Sequence, residues 1–313
     1  MFLFAFVCCF SKKEDVVAVT DSPPEASPDL EYWITGSTQD TLVSTQQGLL
    51  LIGGGTEPDS GFLWWNAKVN GGDVVVLRVS GEDGYNDYLY SDIGAIDSVE
   101  TLKVTSQELA SDPYVLFQVR HAEGLFFAGG DQWDYISLWS DTPLQEAIQD
   151  HISQGKPIGG TSAGLAILGE WVFSAQEGTV YSEEVLENPY NQYVQLVSNF
   201  VSIPQLSGFL LDSHFSDRDR LGRLIGFVAR LTGEGEVLQG WGIDENTALL
   251  IDEQGAQVVG SGSVFRVYFD RAPERCLPEE PLEWSSVFVE KQNAEESIVQ
   301  EWEVVAGELI RKE

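Results

Sequence analysis

The segment GGTSAG, residues 159–164, has the residue types and the spacing of a serine nucleophile. Gly160, Ser162 and Gly164 match the pattern G-x-S-x-G, in which a serine occupies a sharp turn between a strand and a helix. Small neighbours allow the abrupt turn, so that the serine oxygen points outward and the amide of Ala163 can donate to an oxyanion. Taken alone, the pattern also fits a phosphate-binding turn or a turn without chemistry.

A serine nucleophile needs a general base, and His214 in LLDSHFSDRDRLGRL is the preferred candidate among the three histidines. It follows an apolar run directly and stands beside Asp212 and Ser213. His151 lies in a polar helical stretch and is expected on the surface. His121 precedes a strand-like run and is expected to be structural.

The base in turn needs a carboxylate to orient it. GWGIDENTALLID offers Asp244 and Glu245 just before a strand-like run, and Glu177 in SAQEGTV is a third candidate. A turn exposed to solvent explains these acids equally well, so the residues alone leave the choice open.

Three arginines follow the histidine within nine residues: Arg218, Arg220 and Arg223. The chain has 17 basic and 50 acidic residues, so this concentration indicates binding of a carboxylate. The alternative is a salt-bridged helix face, with Asp217 as the helix cap and Asp219 paired with Arg223 four residues later.

Apolar runs that alternate with amphipathic segments predict the elements that position these side chains. Four runs predict buried strands: GLLLIGGGTE, DVVVLRVS, EGLFFAGGDQ and KPIGGTSAG. One helix is predicted across SLWSDTPLQEAIQDHISQG, and it ends at Gly155. Its apolar residues have helical spacing: Leu138, Leu144, Ala147 and Ile148.

Continuous apolar strands separated by helices indicate an α/β fold with a mostly parallel sheet covered by helices on both faces. In such sheets, ligands collect at the carboxyl ends of the strands. The glycines and polar motifs of this chain fall at those ends: residues 53–57, 129–132 and 161–164. After residue 251 the pattern changes to short β-like runs, which predict a β-rich extension.

The composition restricts the partners. A net charge of −33 argues against nucleic acid and anionic membranes, and it would attract cationic substrates, although solubility alone also explains it. The three cysteines, Cys8, Cys9 and Cys276, form no CxxC pattern, and we expect neither a metal centre nor a disulfide framework.

The N-terminal run MFLFAFVCCF is too short to span a bilayer but has the size of a signal-peptide core. A tether rich in Pro, Ser and Asp follows it. We expect export from a bacterial cell, either by secretion or as a lipoprotein anchored at Cys8 or Cys9. The alternative is a cytoplasmic protein with a disordered N-terminus.

The motifs IGGGTE, FFAGGDQ, GGTSAG, DSHFSDRDRLGRL and GIDENTALL occur in the order found in the cyanophycinase and dipeptidase E family of serine peptidases. The resemblance covers roughly residues 48 to 252. It implies a fold similar to class I glutamine amidotransferases, with serine in place of their cysteine, and no cofactor or metal. The expected organisation is an export signal and tether over residues 1–28, a catalytic α/β domain over 29–255, and a β-rich extension over 256–313 packed on that domain.

By this resemblance Ser162 is the nucleophile, His214 the base and Glu245 the acid, and Gly54 or Gly55 with Ala163 supplies the oxyanion amides. It also implies a set of substrate-binding residues: Gln132, Asp212, Ser213, Arg218, Arg220 and Arg223. Cyanophycinases usually have Gln where this chain has Ser213. The expected substrate is cyanophycin, an aspartate chain with arginine on its β-carboxyls, and an aspartyl or isoaspartyl peptide is the second candidate.

Two other functions compete with hydrolysis. A non-catalytic scaffold would bind a peptide without cleaving it, and the intact set of serine, histidine and glutamate argues against that. Transfer of an amide nitrogen from glutamine is disfavoured because the nucleophile position holds no cysteine. A homodimer is a further expectation.

Overall fold

The computed structural model describes residues 22–198, 200–236 and 238–312. The expected export signal, with Cys8 and Cys9, lies outside these residues. The described chain forms two eight-stranded sheets with α-helices packed against them. The helices are α1 Asp59–Val69, α2 Pro113–His121, α3 Gln132–Trp139, α4 Pro143–Ser153, α5 Ala163–Ala166, α6 Ser182–Glu187 and α7 Leu221–Gly233.

The first sheet has the order β1-β4-β3-β5-β6-β2-β11-β12. Its strands are β1 Glu31–Gly36, β2 Leu49–Ile52, β3 Asp73–Arg78, β4 Ser98–Lys103, β5 Gly124–Phe127, β6 Ile158–Thr161, β11 Thr247–Asp252 and β12 Gly255–Gly260. The five strands from β4 to β2 are parallel, and the strands beyond them are antiparallel. The four runs predicted as buried strands are therefore neighbours in this sheet.

Successive residues of the buried strands point to opposite faces, which explains their continuous apolar sequence. Leu49 and Leu51 pack on the face covered by α2, α3 and α4. Leu50 and Ile52 pack on the other face, against Phe62 and other residues of α1. The expected α/β fold with helices on both faces of a parallel sheet is confirmed.

The second sheet has the order β16-β15-β14-β13-β10-β9-β7-β8. Its strands are β7 Trp171–Phe173, β8 Leu196–Ser198, β9 Phe209–Asp212, β10 Gln239–Ile243, β13 Val264–Phe269, β14 Trp284–Gln292, β15 Ser297–Val305 and β16 Glu308–Arg311. Only β7, β9 and β10 run parallel. The C-terminal residues extend this sheet from β10 as antiparallel strands, and the sequence had not indicated a second sheet of this size.

Two local predictions were wrong. The helix expected from Leu138 to Ile148 is two helices, α3 and α4, because Asp141 adopts a left-handed φ of 58° and Pro143 starts α4. His151 is buried rather than exposed: it faces the sheet from α4, and its Nε2 lies 2.9 Å from the carbonyl oxygen of Pro157. Burial lowers the pKa of His151 to about 3, so it stays neutral.

The chain passes between the two sheets at places that matter for the site. Residues 244–246 lead from β10 in the second sheet to β11 in the first, and residues 261–263 lead back from β12 to β13. The carboxyl ends of β6 in the first sheet and β9 in the second meet beside these crossings, as contacts between α5 and β9 show. Among the helices of the described residues, none is both long and apolar enough to cross a membrane.

Candidate active site

Ser162 occupies a strained turn between β6 and α5. Its φ and ψ angles of 54° and −116° lie outside the regions that non-glycine residues ordinarily adopt. The glycines on either side are sterically required, because a Cβ on Gly160 would overlap the carbonyl of Gly164, and a Cβ on Gly164 would overlap that of Phe127. The turn expected from G-x-S-x-G is present, and it is anchored by the amide of Ser162, which donates to Ile52 (3.0 Å).

Ser162, His214 and Glu245 form one hydrogen-bonded chain. Ser162 Oγ lies 2.7 Å from His214 Nε2, and His214 Nδ1 lies 2.6 Å from Glu245 Oε1. Because a carboxylate accepts at Nδ1, that nitrogen carries the proton and Nε2 is free to accept from the serine hydroxyl. Burial is the largest influence on the histidine and lowers its pKa below 6.5, although the hydrogen bond to Glu245 acts in the opposite direction.

The other acid candidates lie elsewhere. Glu177 is exposed, and its side chain makes no hydrogen bond or ion pair within the described part of the chain. The carboxylate of Asp244 accepts main-chain amides of Ser216 and Ser263 rather than the imidazole. His121 lies on α2, where its ring stacks on Phe117 with 3.9 Å between ring centres.

The glycines after β2 lie beside the histidine and the acid. Gly54 has a φ of +102°, and a Cβ there would overlap the imidazole of His214. A Cβ on Gly55 would lie 3.0 Å from Cβ of Glu245. These two glycines, expected to supply oxyanion amides, therefore allow the close approach of the histidine loop and the turn that holds Glu245.

The glycines after β5 lie beside the serine instead. A Cβ on Gly129 would lie 3.5 Å from Cβ and 4.0 Å from Oγ of Ser162. Gly130 and Ala163 line the same cavity as the serine. In the part of the chain that the structure describes, the amides of Gly129 and Gly130 donate no hydrogen bond. FFAGGDQ contains these two glycines at the end of a buried strand, whereas the sequence-based prediction places the oxyanion amides at Gly54 or Gly55 together with Ala163; that assignment stays a prediction.

A cavity of about 380 Å³ opens beside Ser162 and His214. The residues implied as substrate-binding all line it: Gln132, Asp212, Ser213, Arg218, Arg220 and Arg223. Gln132 begins α3, and its Nε2 donates to the carbonyl of Phe173 (3.1 Å). Two carboxylates that the sequence had not singled out, Asp131 and Asp134, lie in the same cavity, so its lining carries both signs of charge.

The three arginines differ in their surroundings. Arg223 is only 3% exposed and donates to both oxygens of Asp212, through Nε (2.8 Å) and Nη2 (2.5 Å). Arg220 donates to Asp212 (3.3 Å) and to the carbonyl of Ser213 (2.7 Å). Burial lowers the pKa of Arg220 to about 10, so it remains charged at neutral pH. Arg218 is exposed and forms no ion pair with any described residue.

The helix expected to carry these arginines begins later than predicted. α7 starts at Leu221, and Asp217 does not cap it but accepts from the amide of Glu245 (3.3 Å). The expected pairing of Asp219 with Arg223 is absent because Arg223 points to Asp212. Within the described residues, no group of three or more His, Cys, Asp or Glu side chains is arranged to hold a metal ion.

The model of peptidase family S51 matches residues 84–259, more than half of the chain. The chain belongs to peptidase family S51. The resemblance drawn from the separated motifs is thus confirmed, and the curated relatives of this S51 member include cyanophycinases.

Two of the curated relatives that match this S51 member are the following cyanophycinases. The one from Trichormus variabilis (strain ATCC 29413 / PCC 7937) is 32% identical over 178 residues, which are 56% of this chain and 55% of the relative. The one from Synechococcus elongatus is 33% identical over 182 residues, 58% of this chain and 52% of the relative. The chain thus spans about half the length of the curated relatives it matches.

The fold of this S51 member is shared with a solved structure. The crystal structure of a peptidase from an acI-B1 Actinobacterium matches with a TM-score of 0.53 and 19% sequence identity. The match covers 82% of this chain and 97% of that one. At this identity the likeness concerns the fold alone.

Proposed function

We propose that this S51 member is a serine peptidase that hydrolyses aspartyl peptide bonds, with cyanophycin as its substrate and aspartyl-arginine dipeptides as its products. The observation that carries the proposal is the hydrogen-bonded chain from Ser162 through His214 to Glu245 at the edge of a cavity lined by both charge signs. The similarity to cyanophycinases supports the choice of substrate.

In the proposed reaction, Ser162 Oγ attacks the aspartyl carbonyl carbon while its proton passes to Nε2 of His214. Glu245 accepts from Nδ1 and stabilises the imidazolium that forms. The carbonyl oxygen becomes an oxyanion, which the amide of Ala163 and an amide of Gly129 or Gly130 would receive. One such donor contributes about 10² to 10³ in rate.

The imidazolium then returns its proton to the leaving amine, and the carbon–nitrogen bond breaks to leave an acyl ester on Ser162. A water molecule donates a proton to the same nitrogen and attacks the ester. Collapse of the second tetrahedral intermediate returns the proton to the serine oxygen. The products are a new carboxylate and a new amine.

The charges of the cavity support a proposal for how the two ends of the substrate are bound. Arg218 is the arginine free to receive a carboxylate, because Arg220 and Arg223 already bind Asp212. Asp131 and Asp134 would receive the cationic guanidinium. A cavity of about 380 Å³ also fits a short peptide, which favours an aspartyl or isoaspartyl dipeptidase as the second candidate.

The test is release of soluble aspartyl-arginine from insoluble cyanophycin by the purified protein, with Ser162→Ala as the control. We expect release by the wild type and a loss of more than about 10⁴-fold in the variant. A fluorophosphonate probe that labels Ser162 while cyanophycin stays intact would move the search to short aspartyl peptides. No labelling and no hydrolysis would favour the non-catalytic scaffold.

We also propose that the protein is exported, that Cys8 or Cys9 carries a lipid anchor, and that the protein forms a homodimer. The apolar run and tether of residues 1–28 support export. Cell fractionation of the wild type beside Cys8→Ala and Cys9→Ala tests it, because loss of membrane association in either variant identifies the anchor. Recovery of the wild type in the cytoplasm would overturn export.

A further inference from the structure

The main chain around His214 is held by three consecutive amides. The amides of residues 214–216 donate in order to the carbonyls of Gly53 (2.7 Å) and Ile243 (3.2 Å) and to Oδ1 of Asp244 (2.9 Å). The first two acceptors belong to the main chain. The third is a side chain, so among these anchors it is the one that a substitution can remove.

His214 needs this anchoring because its conformation is unfavourable. Its φ of 46° lies in the left-handed region, which costs a non-glycine residue on the order of 1 kcal/mol and persists only where the surroundings enforce it. The imidazole must at the same time meet Ser162 at 2.7 Å and Glu245 at 2.6 Å. A relaxation of the turn would lengthen both bonds together.

Asp244 also connects the two crossings between the sheets. Its Oδ2 accepts the amide of Ser263 (3.0 Å), and its own amide donates to the Ser263 carbonyl (3.1 Å). Gly262 makes this approach possible, since a Cβ there would lie 2.7 Å from Cβ of Asp244. Asp244 is only 8% exposed, so water does not replace these bonds readily.

We infer that Asp244 is a positioning residue: its carboxylate fixes the turn of His214 against residues 261–263 and thereby sets the histidine between Ser162 and Glu245. The inference rests on the proposed serine peptidase function and deepens it. It also gives the C-terminal strands a part in the site, because the segment entering β13 supplies the second anchor of Asp244.

The test compares Asp244→Asn with Asp252→Asn. Asparagine keeps one acceptor oxygen but presents an N–H to an amide that also donates, so one hydrogen bond is lost and two donors face each other. Asp252 is a matched control: it binds Lys68 (2.8 Å) at the end of β11 away from the site, so its replacement perturbs stability alone.

Two readouts are needed. The first is the kinetics of peptide hydrolysis and of fluorophosphonate labelling; for Asp244→Asn we expect kcat to fall about 10²-fold with little change in KM, as for a small misplacement of a reacting group. The second is the deshielded NMR resonance of the proton between His214 Nδ1 and Glu245, which should shift or vanish in Asp244→Asn. Asp252→Asn should retain wild-type kcat and the resonance.

Unchanged kcat and an unchanged resonance in folded Asp244→Asn would overturn the inference. A rise in KM with normal kcat would also overturn it, by making Asp244 a substrate contact, and so would absence of the resonance from the wild type. If the resonance is present in the wild type and lost in Asp244→Asn while neither protein reacts, the positioning role stands and the peptidase function fails.

Discussion

Replacement of Arg223 by alanine should act mainly on the stability of the fold rather than on substrate binding. Arg223 and Asp212 are 3% and 4% exposed and share two hydrogen bonds, and the guanidinium packs over the ring of Phe173 at 5.2 Å. Removing Arg223 leaves the buried Asp212 carboxylate with Arg220 (3.3 Å) as its remaining ion-pair partner, so the loss should lie near the lower end of the about 3–5 kcal/mol that breaking a buried pair costs. At about 2–4 °C per kcal/mol for a domain approaching this size, Tm should fall by about 6–12 °C.

The assay is thermal unfolding followed by circular dichroism, with kinetics measured well below Tm. Arg223→Lys should recover only part of the loss, because lysine cannot make the two-pronged contact with Asp212. Arg218→Ala is the matched control: the exposed Arg218 has no ion-pair partner among the described residues, so Tm should hold while KM rises. An unchanged Tm together with a raised KM in Arg223→Ala would refute the structural role of Arg223. It would show instead that Arg223 binds the substrate.

Two predictions concern pH. Burial raises the pKa of Glu100 from 4.5 to about 7, so the folded protein favours the protonated carboxyl. The stabilisation from this carboxyl is complete below pH 4.5, and the free energy of unfolding falls by up to about 3 kcal/mol as pH rises through 7. Glu100→Gln keeps an acceptor for the hydroxyl of Tyr114 and should raise Tm at pH 8 but not at pH 4; an equal effect at both values would contradict this. Burial lowers the pKa of His214, so kcat/KM should stay level near neutral pH and fall in acid with a midpoint below pH 6.5. A midpoint above pH 6.5 would contradict this, because it would show that the site favours the imidazolium.

The parts of the site that could be predicted from sequence are those that depend on neighbours along the chain. Gly160 and Gly164 flank Ser162 because the turn excludes any Cβ, and that requirement is visible in the pattern itself. The buried parallel strands could be predicted from their continuous apolar runs, since both of their faces are covered. The order of the motifs then identified the family.

Contacts between distant segments could not be predicted in this way. Three arginines in one short stretch look alike in sequence, yet Arg223 is buried against Asp212 whereas Arg218 faces the cavity. Gly54 follows a strand as Gly129 does, but the first lies against His214 and the second beside Ser162.

By itself, the sequence determined the class of fold, the turn that holds Ser162 and the types of residue available for a base and an acid. Only the tertiary structure decided which amides lie beside the serine, which arginine is free, and that Asp244 ties His214 to the segment entering β13. The physical reason is that local conformation follows from short-range sterics and periodicity. Charges and hydrogen bonds are satisfied instead by whichever partners the packing of two sheets brings within reach.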